Sequence, residues 1–322
     1  MEHLLINIIY LISINLILII PGYFIIQRKL ILVSWLMLVV SVLAIHFIFL
    51  NAHPILRMLT IIATTFTGMK VVAATQSNKK TPLPISFKQW LVYAAGWAGM
   101  RVQPFQTLGS APLPHAWAMI RFGISRIIAG FVIIWLAHQI MRFNLPHGLA
   151  YTLLSVLLLI GFSLILHFGL LSISAGAWRL HGVNTYLLFK QPAQALSLTE
   201  FWSKRWNIAF SEMTSIAIFR PVKNKSGSPI ALMLAFAFSG LLHEMALTVP
   251  VSSGYGLPLL YFILQGALVL SEKLMSNHHI TFLQNKVIAR TWLFFWLVVP
   301  APLLFHTQFI KQILFPLAGI KI

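Results

Sequence analysis

From Leu30 to Leu50 the chain runs for 21 residues without an Asp, Glu, Lys or Arg. As an α-helix that stretch is about 31 Å long at 1.5 Å per residue, which matches the hydrocarbon thickness of a bilayer. In lipid every backbone N–H and C=O needs an internal partner, so a run of this kind folds as a helix. Comparable runs recur at about Leu4–Ile20, Ile55–Thr75, Phe122–Gln139, Leu149–Leu171, Ile230–Pro250, Gly256–Leu270 and Thr291–Phe305. The first ends at Pro21-Gly22 and is followed by no small-residue cleavage site, so a retained helix is expected. The pattern predicts an all-α, polytopic transmembrane helical bundle of about eight to nine spans.

Two segments fit less well. Phe87–Leu108 contains Lys88, Arg101, two glycines and Pro104, and a lipid-exposed Arg101 would be costly. It is expected to be interfacial or re-entrant. The short apolar stretch Phe309–Ile320 either crosses or lies in the interface. Lys70, near the end of the third run, is expected to snorkel toward the interface.

Composition supports lipid as the solvent. Hydrophobic residues make up 59% of the 322, and charged residues only 9%, against roughly 25% in a soluble domain. All five acids are glutamates (Glu2, Glu200, Glu212, Glu244 and Glu272) and there is no Asp. That removes Asp-rich metal clusters and the usual two-carboxylate glycosidase dyad. With no Cys, thiolate metal sites, disulfides and an acyl-cysteine intermediate are excluded as well. The net charge of +18 falls in short gaps between apolar runs, so anionic lipid explains it better than nucleic acid. The positive-inside rule puts Arg28-Lys29, the loop with Lys79, Lys80 and Lys88, the cations from Arg179 to Lys225, and Lys273, Lys286 and Arg290 in the cytoplasm. Arg57 and Arg142 fall on the other side, and the N-terminus is expected outside. The expected location is an integral, multi-pass one, in a bacterial inner membrane or the endoplasmic reticulum according to source.

Within the polar stretch before the sixth span, Ser197 followed by Glu200 matches a capping box and predicts a helix start. Trp202, Trp206, Phe210 and Met213 then recur at helical spacing as one face, with Lys204 and Arg205 off it. An amphipathic helix at the cytoplasmic interface is expected. It is either a lipid anchor or a wall beside an active-site mouth where cations meet an anionic substrate. Asn207 can cap a backbone group or steady a substrate carbonyl.

The sharper signal is Phe238-Ser239-Gly240-Leu-Leu-His243-Glu244. His243 lies 13 residues beyond Ile230, roughly 20 Å along the axis. An ionisable group at that depth faces a protein interior or a wet cavity. Ser239 and Gly240 share its face, and their small size leaves room for a partner helix or a substrate. Glu244 points about 100° away, so it is expected to hold a neighbouring helix rather than to orient the imidazole. His138 and His167 are rival intramembrane histidines. His53, His147, His278 and His279 are expected in loops, and His115 lies beside Pro114. No H-E-x-x-H occurs, so a zinc site is not expected, and neither a G-x-S-x-G elbow nor a His-x4-Asp pattern is present. Acyl transfer by this chain would therefore have to be direct, with a base and no cysteine intermediate.

Together the two motifs resemble those of the membrane-bound O-acyltransferase (MBOAT) superfamily, within it the wax synthase-like branch. Its F-W-x-x-R-W-N block is matched by Phe201-Trp202-Ser-Lys204-Arg205-Trp206-Asn207, and its S-G-x-x-H-E by Ser239 through Glu244. The resemblance covers about Trp178–Leu270. It implies an MBOAT-type bundle forming one membrane domain over 1–322, with a catalytic region at 178–270. It further implies a long-chain acyl-CoA donor, as co-substrate with no other cofactor, and a lipophilic alcohol as acceptor. The family histidine carries over to His243 as general base on the acceptor hydroxyl, and the family asparagine to Asn207, positioning donor or acceptor. Trp202, Trp206 and Arg205 would line the donor site. Cations at Lys204, Arg205, Lys223 and Lys225 would suit the CoA phosphates. The competing class is a transporter or channel using His243 and Glu244 as a proton or ion relay. Its usual signs, an inverted repeat and paired broken helices, are not visible in the sequence.

Overall fold

A computed structural model of the chain describes residues 2–77, 84–278 and 282–320. Lys79, Lys80 and His279 lie outside the described residues. Among those described, eight helices are long and apolar enough to cross a bilayer: Leu5–Gln27, Ile31–Ile48, Pro54–Ser77, Ala116–Ile140, His147–Leu180, Ile208–Thr248, Leu257–Asn277 and Lys286–Leu304. They are the eight expected runs, in order. The protein is an all-α, multi-pass integral membrane bundle.

The helices are α1 (Glu2–Gln27), α2 (Ile31–Ile48), α3 (Pro54–Ser77), α4 (Phe87–Gly96), α5 (Ala116–Ile140), α6 (His147–Ser163), α7 (Leu171–Leu180), the short α8 (Leu198–Glu200), α9 (Ile208–Thr214), α10 (Arg220–His243), α11 (Leu257–Asn277) and α12 (Lys286–Val298). Wider π-helical turns at Leu164–Leu170, Phe201–Arg205, Ser215–Phe219 and Glu244–Thr248 join or extend them. The lipid solvent is legible in α2. It buries Ser34 and Ser41 beside Leu38 and Ile45, while Leu32 is 71% exposed and Phe47 66%. Water would invert that distribution, whereas lipid tails accept it.

The chain divides into two compact units, one of Met1–Val102 with Gln191–His306, the other of Gln103–Lys190 with Thr307–Ile322. In the first, α3 packs on α1 and α2 and also meets the turns Ser215–Phe219 and Glu244–Thr248. One core joins Ile45, Phe49 and Ile61 to Met245 and Val249. Another joins Leu198 and Phe201 to Leu268, Val269 and Leu293, with Trp202, Trp206, Phe236 and Trp296 against it. In the second unit α5 lies along the helix from α6 to α7. A Cβ added at Gly123 would sit 2.7 Å from Gly169 O, and one at Gly130 would sit 2.7 Å from Gly161 O. Glycine there lets the two backbones touch.

Several local expectations are corrected. The first helix does not stop at Pro21-Gly22 but continues to Gln27; in a bundle a proline is tolerated because neighbours satisfy the freed backbone. Lys70 does not snorkel. It is 3% exposed, and its Nζ donates to Tyr93 O (3.1 Å) and Ala94 O (2.7 Å) at the C-terminus of α4, with the Phe66 and Tyr93 rings beside it. Terminal helix carbonyls carry the partial negative charge that such an ammonium needs. The fifth span runs past Leu171 to Leu180, because the turn Leu164–Leu170 carries the helix onward. The ten residues of α4 extend about 15 Å, half a hydrocarbon core, so Phe87–Gly96 is too short to cross. The helical turns over 307–317 are likewise too short.

Candidate active site

The sixth span is two helical pieces joined at Gly227, whose φ of 83° and ψ of 168° break the helix before Pro229. Beyond the break α10 runs without interruption to His243, where the π-helical turn Glu244–Thr248 takes over. Turns of this kind shift side chains off the α-helical register and are frequent at functional sites.

His243 is partly buried. Its Nδ1 lies 2.7 Å from Ser239 O. A carbonyl oxygen only accepts, so Nδ1 carries the proton, and in the neutral ring Nε2 holds the lone pair. The imidazole is flanked by Phe210 (centroids 5.4 Å apart) and Phe262 (4.3 Å). These aromatic contacts and the Nδ1 bond fix both the tilt and the tautomer.

Glu244, the first residue of the turn Glu244–Thr248, holds the neighbouring helix, as expected. Its Oε1 accepts from Leu259 N at 3.0 Å, in the first turn of α11, and its Oε2 accepts from Thr248 Oγ1 at 2.8 Å. Free N–H groups and the positive helix end make that turn a good place for a carboxylate. Gly240 completes the junction, since a Cβ there would lie 2.9 Å from Leu259 Cα. The small face of the motif thus admits a partner helix. One turn past Leu259, α11 delivers Phe262 to the imidazole.

The aromatic motif is built differently from a single amphipathic helix. Ser197 Oγ accepts from Glu200 N (3.0 Å), as a capping residue should. Glu200 does not close the box on Ser197; its Oε2 accepts from Leu196 N (2.9 Å) and its Oε1 from Arg205 Nε (2.6 Å). The Leu196 N–H, joined by the Arg205 guanidinium, holds the Glu200 carboxyl below the usual carboxylate range, against an opposing pull from burial. Trp206 stacks on Phe201 with centroids 5.5 Å apart and planes 12° from parallel. The helix then breaks at Asn207, whose φ is 44°. Trp202 therefore belongs to one helical piece, Phe210 and Met213 to another, and Trp206 to the junction between them, which corrects the expected continuous stripe. Asn207 caps the second piece, its Oδ1 accepting from Phe210 N at 3.2 Å.

Asn207 and His243 are connected through Phe210, whose N–H bonds one and whose ring touches the other. Among the described residues no hydrogen bond joins Asn207 to His243 directly. Trp202 reaches the same place through α11. Its ring lies 5.6 Å from that of Phe262, and its Nε1 donates to Gln265 Oε1 at 3.1 Å. Gln265 is fully buried and also donates to Trp296 O at 2.7 Å. Of the cations, Arg205 is tied to Glu200 and to Gln191 O (3.2 Å). Lys204, Lys223 and Lys225 are exposed, Lys223 lying over the Phe219 ring.

Phe262, Gln265 and Glu272 were not singled out as site residues by sequence reasoning. The available signal was two polar side chains seven residues apart on one face of an apolar helix. The rival histidines lie in the other unit, where His138 Nε2 is 2.9 Å from Ala318 O and His167 Nδ1 is 3.0 Å from Ser163 Oγ. Among the described residues no three His, Asp or Glu side chains gather as a metal-ligand set.

With this geometry in view, residues 186–264 match the membrane bound O-acyl transferase family. A long-chain-alcohol O-fatty-acyltransferase of Simmondsia chinensis is 32% identical over 72 residues, 20% of each chain. A probable long-chain-alcohol O-fatty-acyltransferase of Arabidopsis thaliana is 35% identical over 72 residues, 20% of this chain and 21% of that one. The chain spans about a fifth of the length of the curated relatives it matches. The segment 186–264, which holds both motifs, is thus similar to the membrane bound O-acyl transferase family and, over 72 residues, to the two long-chain-alcohol acyltransferases.

Proposed function

We propose that the protein moves a long-chain acyl group from acyl-CoA to the hydroxyl of a lipophilic alcohol, with His243 as general base. The observation that carries this reading is the Nδ1 contact to Ser239 O, which leaves Nε2 as the basic nitrogen inside a membrane span. A neutral imidazole presented in that way is suited to accept a proton from a hydroxyl. The acceptor oxygen attacks the thioester carbonyl carbon as Nε2 takes its proton. The tetrahedral intermediate then expels the CoA sulfur, which recovers the proton from the imidazolium. The products are an ester and CoA–SH, and no covalent enzyme intermediate is required.

Asn207 positions the donor or the acceptor in this reading, with its amide nitrogen as the available donor, since Oδ1 is taken by Phe210 N. Trp202, Trp206 and Arg205 form the wall of the donor site. Lys204, Arg205, Lys223 and Lys225 supply positive charge for the CoA phosphates, the three lysines from exposed positions and Arg205 from the base of the motif segment. The catalytic region is 178–270 within one membrane domain of 1–322, its motif loops facing the cytoplasm. The relay reading asks Glu244 to exchange protons with His243, whereas both Glu244 oxygens are held by Leu259 N and Thr248 Oγ1.

The test is a reconstitution of the purified chain with radiolabelled long-chain acyl-CoA and a panel of fatty alcohols, sterols, diacylglycerols and sugars. Labelled ester forming with equimolar CoA release is the expected result for at least one lipophilic alcohol. No ester with any acceptor would overturn the reading.

A further inference from the structure

Glu272 is a carboxylate at 6% exposure on a membrane-spanning helix, and it is not used in the mechanism above. Both ion pairs among the described residues, Arg101–Glu212 and Arg205–Glu200, exclude it. A buried carboxylate is costly unless hydrogen bonds replace its water, so its partners explain its presence. Among them are two peptide groups 73 and 74 residues away. Oε1 accepts from Leu198 N at 2.9 Å, while Oε2 accepts from Thr199 N at 3.2 Å and faces Thr199 Oγ1 at 3.4 Å. Those are the first N–H groups of the helical segment that carries Phe201 and Trp202 and ends just before Trp206.

We propose that Glu272 is a positioning residue for acyl-donor binding, gripping the start of the Phe201–Trp206 segment so that its tryptophans hold their place relative to His243. This rests on the acyltransferase reading above. The geometry of α11 supports it. Phe262 touches the imidazole, Gln265 holds the Trp202 indole, and Glu272, seven residues on, lies on the same side of the helix as Gln265 and holds the segment's first turn. One rigid helix thus fixes three points of the site, and the carboxylate fixes the point farthest along it. Two oxygens are needed because two successive N–H groups must be satisfied at once. A glutamine there offers one oxygen and places an NH₂ donor against an N–H. Ser197 tethers the same turn from within, through Glu200 N, but does not set its distance from α11.

The experiment measures binding of a non-hydrolysable acyl-CoA thioether to the detergent-purified full chain, Glu272→Gln and Glu272→Asp, with the folded fraction of each taken from gel filtration and thermal melting. Affinity per folded molecule should fall about tenfold or more in E272Q and by less in E272D, which keeps the charge. A merely structural role would reduce the folded fraction and leave the affinity of the remainder unchanged. E272Q binding as the native chain does, or E272D binding no better than E272Q, would overturn the proposal. If the native chain binds the thioether yet makes no ester, the acyl-transfer reading fails while the Glu272 result stands. If the native chain does not bind it, both fall.

Discussion

At the scale of single residues, the site depends on side chains that do two things at once. Asn207 occupies a left-handed backbone position and caps α9 with its carbonyl oxygen. Asparagine tolerates that φ better than most residues, and the cap itself contributes about 0.5–2 kcal/mol. Asn207→Ala therefore confuses stability with chemistry. Asn207→Asp separates them, because a carboxylate still caps Phe210 N but brings no N–H to a substrate carbonyl. N207D is predicted to melt close to the native chain and to lose about 100-fold or more in turnover, the order expected for losing one oriented donor. Equal turnover in N207D would restrict Asn207 to its capping role. The motif spacing in the sequence identifies Asn207 and His243 as odd residues in an apolar setting. It does not reveal that Phe210 connects them, because that contact depends on the break at Asn207 itself.

At the scale of elements, the junction of α10 and α11 sets where the imidazole meets Phe262. The backbones meet at Gly240, where a Cβ would come within 2.9 Å of Leu259 Cα. Backbone cannot rotate aside as a side chain does, so Gly240→Ala must push the helices apart. Overpacking of this kind costs about 1–3 kcal/mol, and here it also moves Phe262 off the imidazole. G240A is predicted to lower the melting temperature and to reduce ester formation by more than the loss of folded protein; activity per folded molecule equal to the native value would contradict this. The helices themselves were legible, because hydropathy over about 20 residues is a local property. Their partners were less so. Glu272 binds a turn 74 residues away, and Lys70 finds the carbonyls of α4 rather than the interface. Periodicity shows which side of a helix is polar, and only tertiary packing shows what that side meets.

At the scale of the whole molecule, the bilayer and the charge distribution act together. The chain has no cysteine, so single cysteines report sidedness without a competing background. Ser226→Cys, in the exposed stretch that holds Lys223 and Lys225, is predicted to be labelled by an impermeant maleimide from the cytoplasmic side only. Asn51→Cys and Asn144→Cys, near Arg57 and Arg142, should react from the opposite side only. The reverse pattern would put the motif loops outside, away from any cytoplasmic acyl-CoA. Span number and order were readable from sequence, whereas the division into two packed units was not, since it depends on which helices touch.

The central claim is that the His243 imidazole, held at Nδ1 by Ser239 O, takes the acceptor's proton at Nε2. The most direct measurement is the initial rate of labelled ester formation from long-chain acyl-CoA and a lipophilic alcohol, compared between the native chain and His243→Ala at equal folded protein. Loss of a general base predicts a fall of about 100-fold or more. An unchanged rate in H243A would remove the imidazole from the reaction and contradict the account.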